Sequence, residues 1–128
     1  MKGFPGGDAI PSEDLLLLPC DVLAPAALGS VITEKNVGRI QCKVVLECAN
    51  GPTSPEADAV LKENGIVVLP DVLVNGGGVT VSYFEWVQDT EHFFWEVEEV
   101  DARLRKIMTR AFDACKNLAQ EKGVSMRF

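Results

Sequence analysis

The stretch Lys43–Pro70, KVVLECANGPTSPEADAVLKENGIVVLP, decides the fold because two apolar runs flank a helix signal. Lys43–Cys48 and Ile66–Leu69 are rich in β-branched residues and nearly continuous in apolar side chains. Runs of this kind are typical of strands covered on both faces of a parallel sheet. The stretch therefore predicts a strand, a helix and a second strand in succession.

The helix signal between these strands offers two alternative caps. Thr53 and Glu56 have the spacing of a capping box, whereas Ser54 can cap a helix whose first residue is Pro55. Proline disfavours helical angles in the residue before it, so Ser54 is the better cap. Gly65 suits the end of the helix because glycine readily adopts the left-handed conformation found there.

The same alternation continues on either side of this unit. Upstream, Asp21–Pro25 is a candidate strand, and Thr33–Asn36 can open a short helix capped by Thr33. Downstream, Gly76–Gly78 precede a segment in which apolar and aromatic residues fall at helical spacing from Val79 to Trp86. Glycine lacks a Cβ and permits positive φ, so the three glycines predict a close approach of backbone to a ligand.

The two ends of the chain have different characters. Residues 1–12 are rich in Gly and Pro, which predicts a loop or a frayed terminus. A long helix is predicted from about Val97 to Lys122, because apolar residues recur there at steps of three and four and Gly123 supplies a stop. The alternation of strands and helices along the whole chain predicts an α/β fold.

Composition and charge exclude several classes of function. Twelve basic residues against nineteen acidic ones give a net charge of −7, with no basic cluster that could follow a phosphate backbone. We therefore expect no nucleic-acid partner. No apolar run approaches the length of a membrane span, and the first residues lack the apolar core of a signal peptide. We expect no membrane contact and a cytoplasmic location.

Four cysteines and one histidine could in principle bind a metal, but their spacing favours simpler roles. The cysteines are irregularly spaced, contain no CxxC pair and lie mostly in apolar segments, which predicts reduced buried thiols and no metal site. His92 lies in the aromatic connector His92–Trp95, where we expect a packing or surface residue.

Small and amide residues follow each of the three predicted strands, at Pro25–Leu28, Ala49–Pro52 and Asn75–Gly78. In open parallel sheets, ligands bind at the carboxyl ends of the strands. Asn50 and Asn75 each carry a donor and an acceptor suited to an amide or a ribose hydroxyl. Each asparagine alone is typical of a turn, whereas the three strand ends together favour a ligand crevice.

Two uninterrupted dodecamers, Glu47–Asp58 and Asn75–Trp86, resemble the NAD(P)-dependent glutamate dehydrogenases, and Cys20–Leu28 and the closing helix fit the same pattern. The resemblance implies a partial dinucleotide-binding, Rossmann-like parallel sheet of about three strands with flanking helices and a long C-terminal helix. It implies that residues 1–128 are part of an NAD(P)-binding domain. The implied reaction is reversible deamination of L-glutamate to 2-oxoglutarate and ammonia, with NAD or NADP as cofactor and a homo-oligomeric enzyme.

The resemblance also implies roles for six residues. Ala26 and Ala27 would line the cofactor cleft, and Asn50 and Asn75 would lie near the nicotinamide ribose and carboxamide. In the same pattern, two residues of the helix after the glycines would contact the substrate. Val79 would border it and Ser82 would donate a hydrogen bond to its side-chain carboxylate, which favours glutamate over apolar amino acids.

Several features of the family pattern are missing from this sequence. It contains no GxGxxG phosphate loop and no counterpart of the substrate domain with its catalytic lysine and aspartate, so we expect no catalytic residue within the chain. It also differs from the resembled pattern at Gly76, where the family usually has alanine, and at Cys48, where the family usually has glycine. We therefore expect a dehydrogenase fragment that is inactive alone. The alternatives are a non-enzymatic interaction module or a dehydrogenase for another amino acid.

Overall fold

The computed structural model describes Gly3 and residues 5–127. In these residues the chain forms a small sheet and a set of helices. The strands are β1 (Val22–Leu23), β2 (Val44–Leu46) and β3 (Val67–Leu69), and the helices are α1 (Ser12–Leu15), α2 (Pro55–Glu63), α3 (Asp71–Val74), α4 (Gly76–Glu91) and α5 (Val97–Lys122).

The three strands form a parallel sheet in the order β1–β2–β3. Each observed strand lies within the segment predicted for it, although each is shorter than that segment. Parallel neighbours need a crossover between them, and α2 supplies the one between β2 and β3. The predicted α/β class with a three-stranded parallel sheet is confirmed.

The start and the end of α2 follow from its sequence. The Ser54 hydroxyl accepts a hydrogen bond from the Ala57 amide at 3.2 Å, and Pro55 is the first helical residue. Gly65 follows the helix with a φ of +71°, so it adopts the left-handed conformation that favours glycine. The prediction of Ser54 as cap and Gly65 as stop is therefore confirmed.

Within Gly3 and residues 5–127 the sheet is covered on one face only, which corrects the prediction of strands buried on both faces. Val45 and Val68 are buried and pack with α2 in the core. In the neighbouring row, Val22 and Val67 are 53% and 49% exposed. Because successive residues of a strand point to opposite faces, these exposures identify an uncovered apolar face.

The predicted helix at Thr33–Asn36 is wrong. These residues form a turn, and the regular structure that follows is a single 3-10 turn at Val37–Arg39. Asn36 explains the difference, because its side chain donates to the Val31 carbonyl at 2.7 Å and accepts from the Thr33 amide at 2.9 Å. Such local side-chain bonds compete with helix formation.

The glycine run also lies in a different structure from the predicted one. Gly76–Gly78 form the first turn of α4, and the separate short helix α3 precedes them. Within residues 5–127, positive φ occurs at glycines such as Gly51 and Gly65 but not at these three. They are therefore ordinary helical residues, and the helical spacing predicted for Val79 to Trp86 is confirmed.

The predicted bounds of α5 agree with the structure, and Gly123 ends the helix with a φ of +66°. Its apolar stripe is only partly covered. Ala119 is buried where α5 packs, whereas Ile107 and Leu118 are 44% and 56% exposed. Helix α5 packs on α4 and α3 rather than on the sheet, so part of its stripe has no partner within the described residues.

The cysteines and the N-terminal segment differ in detail from the predictions. All four cysteines are free, but Cys20 is exposed and the other three are half-buried, so the prediction of buried thiols is wrong. Residues 5–11 contain neither helix nor strand, and Ser12 already belongs to α1. The prediction for Met1, Lys2 and Phe4 lies outside the described residues. No helix in Gly3 and residues 5–127 is long and apolar enough to cross a membrane.

Candidate functional site

An open cavity of about 610 Å³ lies where the segments following the three strands meet. Its wall consists of small and amide residues, namely Ala26, Ala27, Leu28, Gly29, Cys48, Ala49, Asn50 and Asn75. Carboxyl ends of parallel strands share one edge of a sheet, which explains why segments far apart in sequence converge here. All four residues that the sequence predicted to line a cofactor cleft therefore surround one cavity.

The two predicted asparagines contact each other directly. The Asn75 side-chain amide donates to the Asn50 side-chain oxygen at 2.6 Å. A primary amide has two N–H donors and an oxygen acceptor, so this bond leaves the Asn50 amide group and the Asn75 oxygen available to a ligand. The pair therefore presents a donor and an acceptor side by side, and each residue orients the other.

Backbone hydrogen bonds fix the first two segments of the wall against each other. The Ala49 amide donates to the Pro25 carbonyl at 2.8 Å, and the Ser30 amide donates to the Gly51 carbonyl at 2.8 Å. At Gly29 between them, a Cβ would lie 3.0 Å from the Asn50 carbonyl oxygen. A side chain at this position would push the two segments apart, so the close approach depends on Gly29.

The third segment is held by a carboxylate. Asp71 accepts from the Gly51 amide at 2.8 Å, and its own backbone amide donates to Glu47 at 3.2 Å. Glu47 belongs to the segment after β2, so these two bonds connect the start of α3 to both ends of the loop that carries Asn50. The orientation of the asparagine pair therefore depends on charged residues that line no part of the cavity.

Glu47 itself is buried, with 1% of its side chain exposed, and forms an ion pair with Arg127. The Arg127 guanidinium also donates to the Thr53 carbonyl at 2.8 Å and lies 3.4 Å from Asp58. A buried carboxylate needs such compensation, because leaving its charge unpaired in the interior is costly. Glu47, Asp71, Arg127 and Gly29 were not among the predicted site residues, although each helps to shape the cavity.

The two predicted substrate residues lie outside the cavity wall, on α4. Val79 and Ser82 follow Asn75 by four and seven positions, which is the spacing of one helix face. Both are exposed, Val79 to 71%. The structure thus brings the four predicted cofactor residues together and puts the two predicted substrate residues along a helix that starts at the cavity.

The electrostatics of the cavity come from dipoles rather than from charges, since no ionisable group except the Cys48 thiol lines it.

The Glu56 carboxyl, at the start of α2 and outside the cavity wall, has a lowered pKa because its own backbone amide and then the Ser54 hydroxyl donate to it. Among Gly3 and residues 5–127 there is no group of three or more His, Cys, Asp or Glu side chains that could hold a metal ion.

The sequence profile of the Glutamate/Leucine/Phenylalanine/Valine dehydrogenases matches residues 1–128. The chain belongs to this family. The fold agrees with that assignment in a second, independent way, because solved glutamate dehydrogenases superpose on the chain over most of its length.

Two glutamate dehydrogenases and one other dehydrogenase illustrate the likeness. The chain is 45% identical to the Peptoniphilus asaccharolyticus glutamate dehydrogenase, covering 80% of this chain and 26% of that one, with a TM-score of 0.75. It is 35% identical to the leucine-bound hetero-hexameric glutamate dehydrogenase of Thermus thermophilus, covering 98% and 30%, with a TM-score of 0.90. Nostoc punctiforme L-tryptophan dehydrogenase shares the fold at 24% identity, covering 94% and 35%, with a TM-score of 0.74.

The family members with solved structures are much longer than this chain. The shares of 26% and 30% mean that the chain spans between a quarter and a third of the two glutamate dehydrogenases. A Cβ at Gly76 would meet open space. Cys48 is half-buried and lines the cavity.

Proposed function

We propose that the chain is part of the NAD(P)-binding domain of an amino-acid dehydrogenase, and that its cavity receives the nicotinamide half of the cofactor. The observation that carries the proposal is the arrangement of Ala26, Ala27, Asn50 and Asn75 around one cavity of about 610 Å³ at the strand ends. That volume lies in the range of about 300–1,000 Å³ that is usual for small-molecule sites.

The chemistry of the wall suits a nicotinamide and its ribose. The alanines leave room for a flat ring, and the Asn50–Asn75 pair offers one donor and one acceptor to a carboxamide, which itself carries one of each. A bound nicotinamide would accept a hydride from the substrate. The chain's own contribution is to orient the ring, through the asparagines and the hydrogen bonds that fix their loop.

For the substrate we propose L-glutamate, converted reversibly to 2-oxoglutarate and ammonia by the complete enzyme. Ser82 supports this choice because its hydroxyl can donate to the side-chain carboxylate of glutamate, which apolar amino acids lack. Val79 lies one turn nearer to the cavity and would border the substrate. A homo-oligomeric enzyme in the cytoplasm is part of the proposal, and the four free thiols fit a reducing compartment.

A chimeric enzyme tests this proposal. The chain would replace the matching segment of the Peptoniphilus asaccharolyticus glutamate dehydrogenase, and reduction of NAD and NADP would be followed with glutamate, leucine, phenylalanine, valine and tryptophan. We expect turnover with glutamate, and none from the 128-residue chain alone, because that chain has no phosphate loop or catalytic acid–base residue. A correctly assembled chimera that prefers another amino acid would refute the choice of substrate.

Variants of the chimera separate the two sets of residues. Ser82→Ala should lower kcat/KM for glutamate by the equivalent of roughly 1–3 kcal/mol, the scale of a hydrogen bond to a charged group, with cofactor affinity almost unchanged. Asn75→Ala should instead weaken cofactor binding. Asn117→Ala, on the exposed part of α5, is the matched control and should change neither quantity.

A non-enzymatic interaction module is a second candidate, and the uncovered apolar surface favours it. Val22 and Val67 on the sheet and Ile107 and Leu118 on α5 are all at least 44% exposed. Exposed apolar side chains gathered into a patch usually mark a contact with another protein. Turnover by the chimera supports the enzyme, whereas a chimera that assembles but binds no cofactor supports the interaction module.

A further inference from the structure

Two of the four cysteines lie two residues before neighbouring strands. The register of β1 with β2 pairs Val22 with Val44, and the same register continued back by two residues would place Cys20 opposite Cys42. The two segments stay paired before the strands, because the Lys43 amide donates to the Asp21 carbonyl at 3.1 Å and their side chains form an ion pair at 2.6 Å. These contacts show that the backbone segments before β1 and β2 run side by side.

A second backbone hydrogen bond lies next to the two cysteines. The Cys20 amide donates to the Gln41 carbonyl at 3.0 Å, so the backbone at Cys20 is held beside Gln41 and Cys42. Paired strands are about 4.7–4.9 Å apart. That spacing falls within the Cα separations of roughly 4.4–6.8 Å that a disulfide spans.

The Cys42 thiol is half-buried, and its backbone neighbour Gln41 is hydrogen-bonded to Cys20. Burial raises the pKa of the Cys42 thiol above its ordinary value, and the neighbouring Cys20 raises it further. The two thiols are therefore neighbours in different environments, since Cys20 is exposed and Cys42 half-buried.

We propose that hydrogen peroxide converts Cys20 and Cys42 into a reversible disulfide between the segments that precede β1 and β2. This oxidation site is separate from the dehydrogenase reaction and does not depend on it. Neither cysteine lines the cavity, and neither belongs to the residues proposed to contact cofactor or substrate.

The environments of the two thiols assign their roles. The exposed Cys20 thiolate attacks one oxygen of the peroxide, the O–O bond breaks, and the departing hydroxide takes up a proton to become water. Cys20 is then a sulfenic acid. The Cys42 sulfur attacks the Cys20 sulfur, the S–O bond breaks, and the departing hydroxide takes the Cys42 proton to form a second water. Each sulfur is oxidised by one electron and the peroxide is reduced by two, and a dithiol reductant reverses the reaction by thiol–disulfide exchange.

Trypsin offers a direct test because it separates all four cysteines. Cys20, Cys42, Cys48 and Cys115 fall on the four different tryptic peptides 3–35, 40–43, 44–62 and 111–116. The full chain would be reduced, exposed to hydrogen peroxide, alkylated without reduction and digested. We expect peptide 3–35 linked to peptide 40–43 as the dominant product, with loss of the mass of two hydrogen atoms and recovery of both thiols after treatment with dithiothreitol.

Variants and an unfolded control make the result decisive. In Cys42→Ser, a Cys20 sulfenic acid should accumulate and react with dimedone, whereas in Cys20→Ser the Cys42 thiol should survive the same peroxide dose. Cys115→Ser is the matched control and should leave the linkage unchanged.

In urea, where the length of the loop between two cysteines decides how often they meet, the closely spaced Cys42 and Cys48 should compete for the disulfide. The proposal is overturned if folded chain yields no more of the Cys20–Cys42 product than unfolded chain, or if Cys20 is oxidised without Cys42 joining it.

Discussion

Arg127→Ala is the substitution for which the structure most clearly predicts a lower free energy of unfolding. The change removes the cationic partner of Glu47, whose side chain is only 1% exposed. The Asp71 amide then remains as the hydrogen-bond donor to Glu47 in this network. The Thr53 carbonyl loses its guanidinium donor as well. Removal of one member of a buried ion pair typically costs about 3–5 kcal/mol, and Arg127 is 19% exposed, so we expect the lower end, about 3 kcal/mol.

Urea unfolding followed by circular dichroism measures this loss as a lower midpoint at an unchanged slope. Arg105→Ala is the matched control, because Arg105 pairs with Asp101 at 3.7 Å with side-chain exposures of 77% and 66%. Exposed pairs contribute about 0–1 kcal/mol, so the control should stay near the wild type. Replacing both Glu47 and Arg127 by apolar residues should cost less than Arg127→Ala alone, since no charge is then left buried. Equal losses for Arg127→Ala and Arg105→Ala would refute the reasoning.

Four further predictions follow from other parts of the chain. Gly76→Ala should raise the unfolding free energy by roughly 0.4–1 kcal/mol, because the helix leaves open space there; a lower urea midpoint would contradict it. Ser54→Ala should cost about 1 kcal/mol through the lost cap and raise the pKa of Glu56 toward its ordinary value, which NMR titration detects. The pKa of Cys42 is raised in the folded chain, by burial and then by the neighbouring Cys20 thiol. The contribution of this thiol to stability is therefore complete below the ordinary thiol pKa and is lost as the pH rises through the pKa of the folded chain. The unfolding free energy should fall at alkaline pH more steeply in the wild type than in Cys42→Ala. The unpaired edge of β1 and the uncovered apolar faces should produce a dimer or larger assembly, and light scattering that shows a monodisperse monomer across a dilution series would disprove this.

Local sequence signals predicted the strands and two of the helices well. The apolar segments before Pro25, Cys48 and Pro70 contain the observed strands, Pro55 and Gly65 mark the ends of α2, and Gly123 ends α5. These signals are reliable because β-branched residues, proline and glycine each restrict the backbone conformation of their own and adjacent positions, whatever the rest of the fold.

The prediction failed where a side chain or a partner element outweighs local preference. At Asn36, two side-chain bonds to backbone replace the predicted helix by a turn. At Gly76–Gly78 the chain is helical although glycine is a poor helix former. A Cβ at Gly77 would lie 3.7 Å from the Met108 sulfur, so α4 approaches α5 at this turn, and no pattern within the glycine run itself indicates that contact.

The long-range contacts that hold the site together could not be predicted from local sequence patterns. The pair of Glu47 and Arg127 joins residues separated by 80 positions, and neither residue belongs to a periodic pattern. Yet Glu47 accepts from the Asp71 amide, and Asp71 accepts from the Gly51 amide in the loop that carries Asn50.

The cavity is thus connected through one buried carboxylate to the segment that follows α5. Arg127 lies after Gly123, the residue that ends α5, and its guanidinium reaches back to the segment after β2. A disturbance at the end of α5 therefore has a short physical route to the asparagine pair, through two hydrogen bonds and one ion pair. The amides that would meet a cofactor are oriented by residues that never touch it, so a change in Arg127 should alter the cavity as well as the stability of the fold.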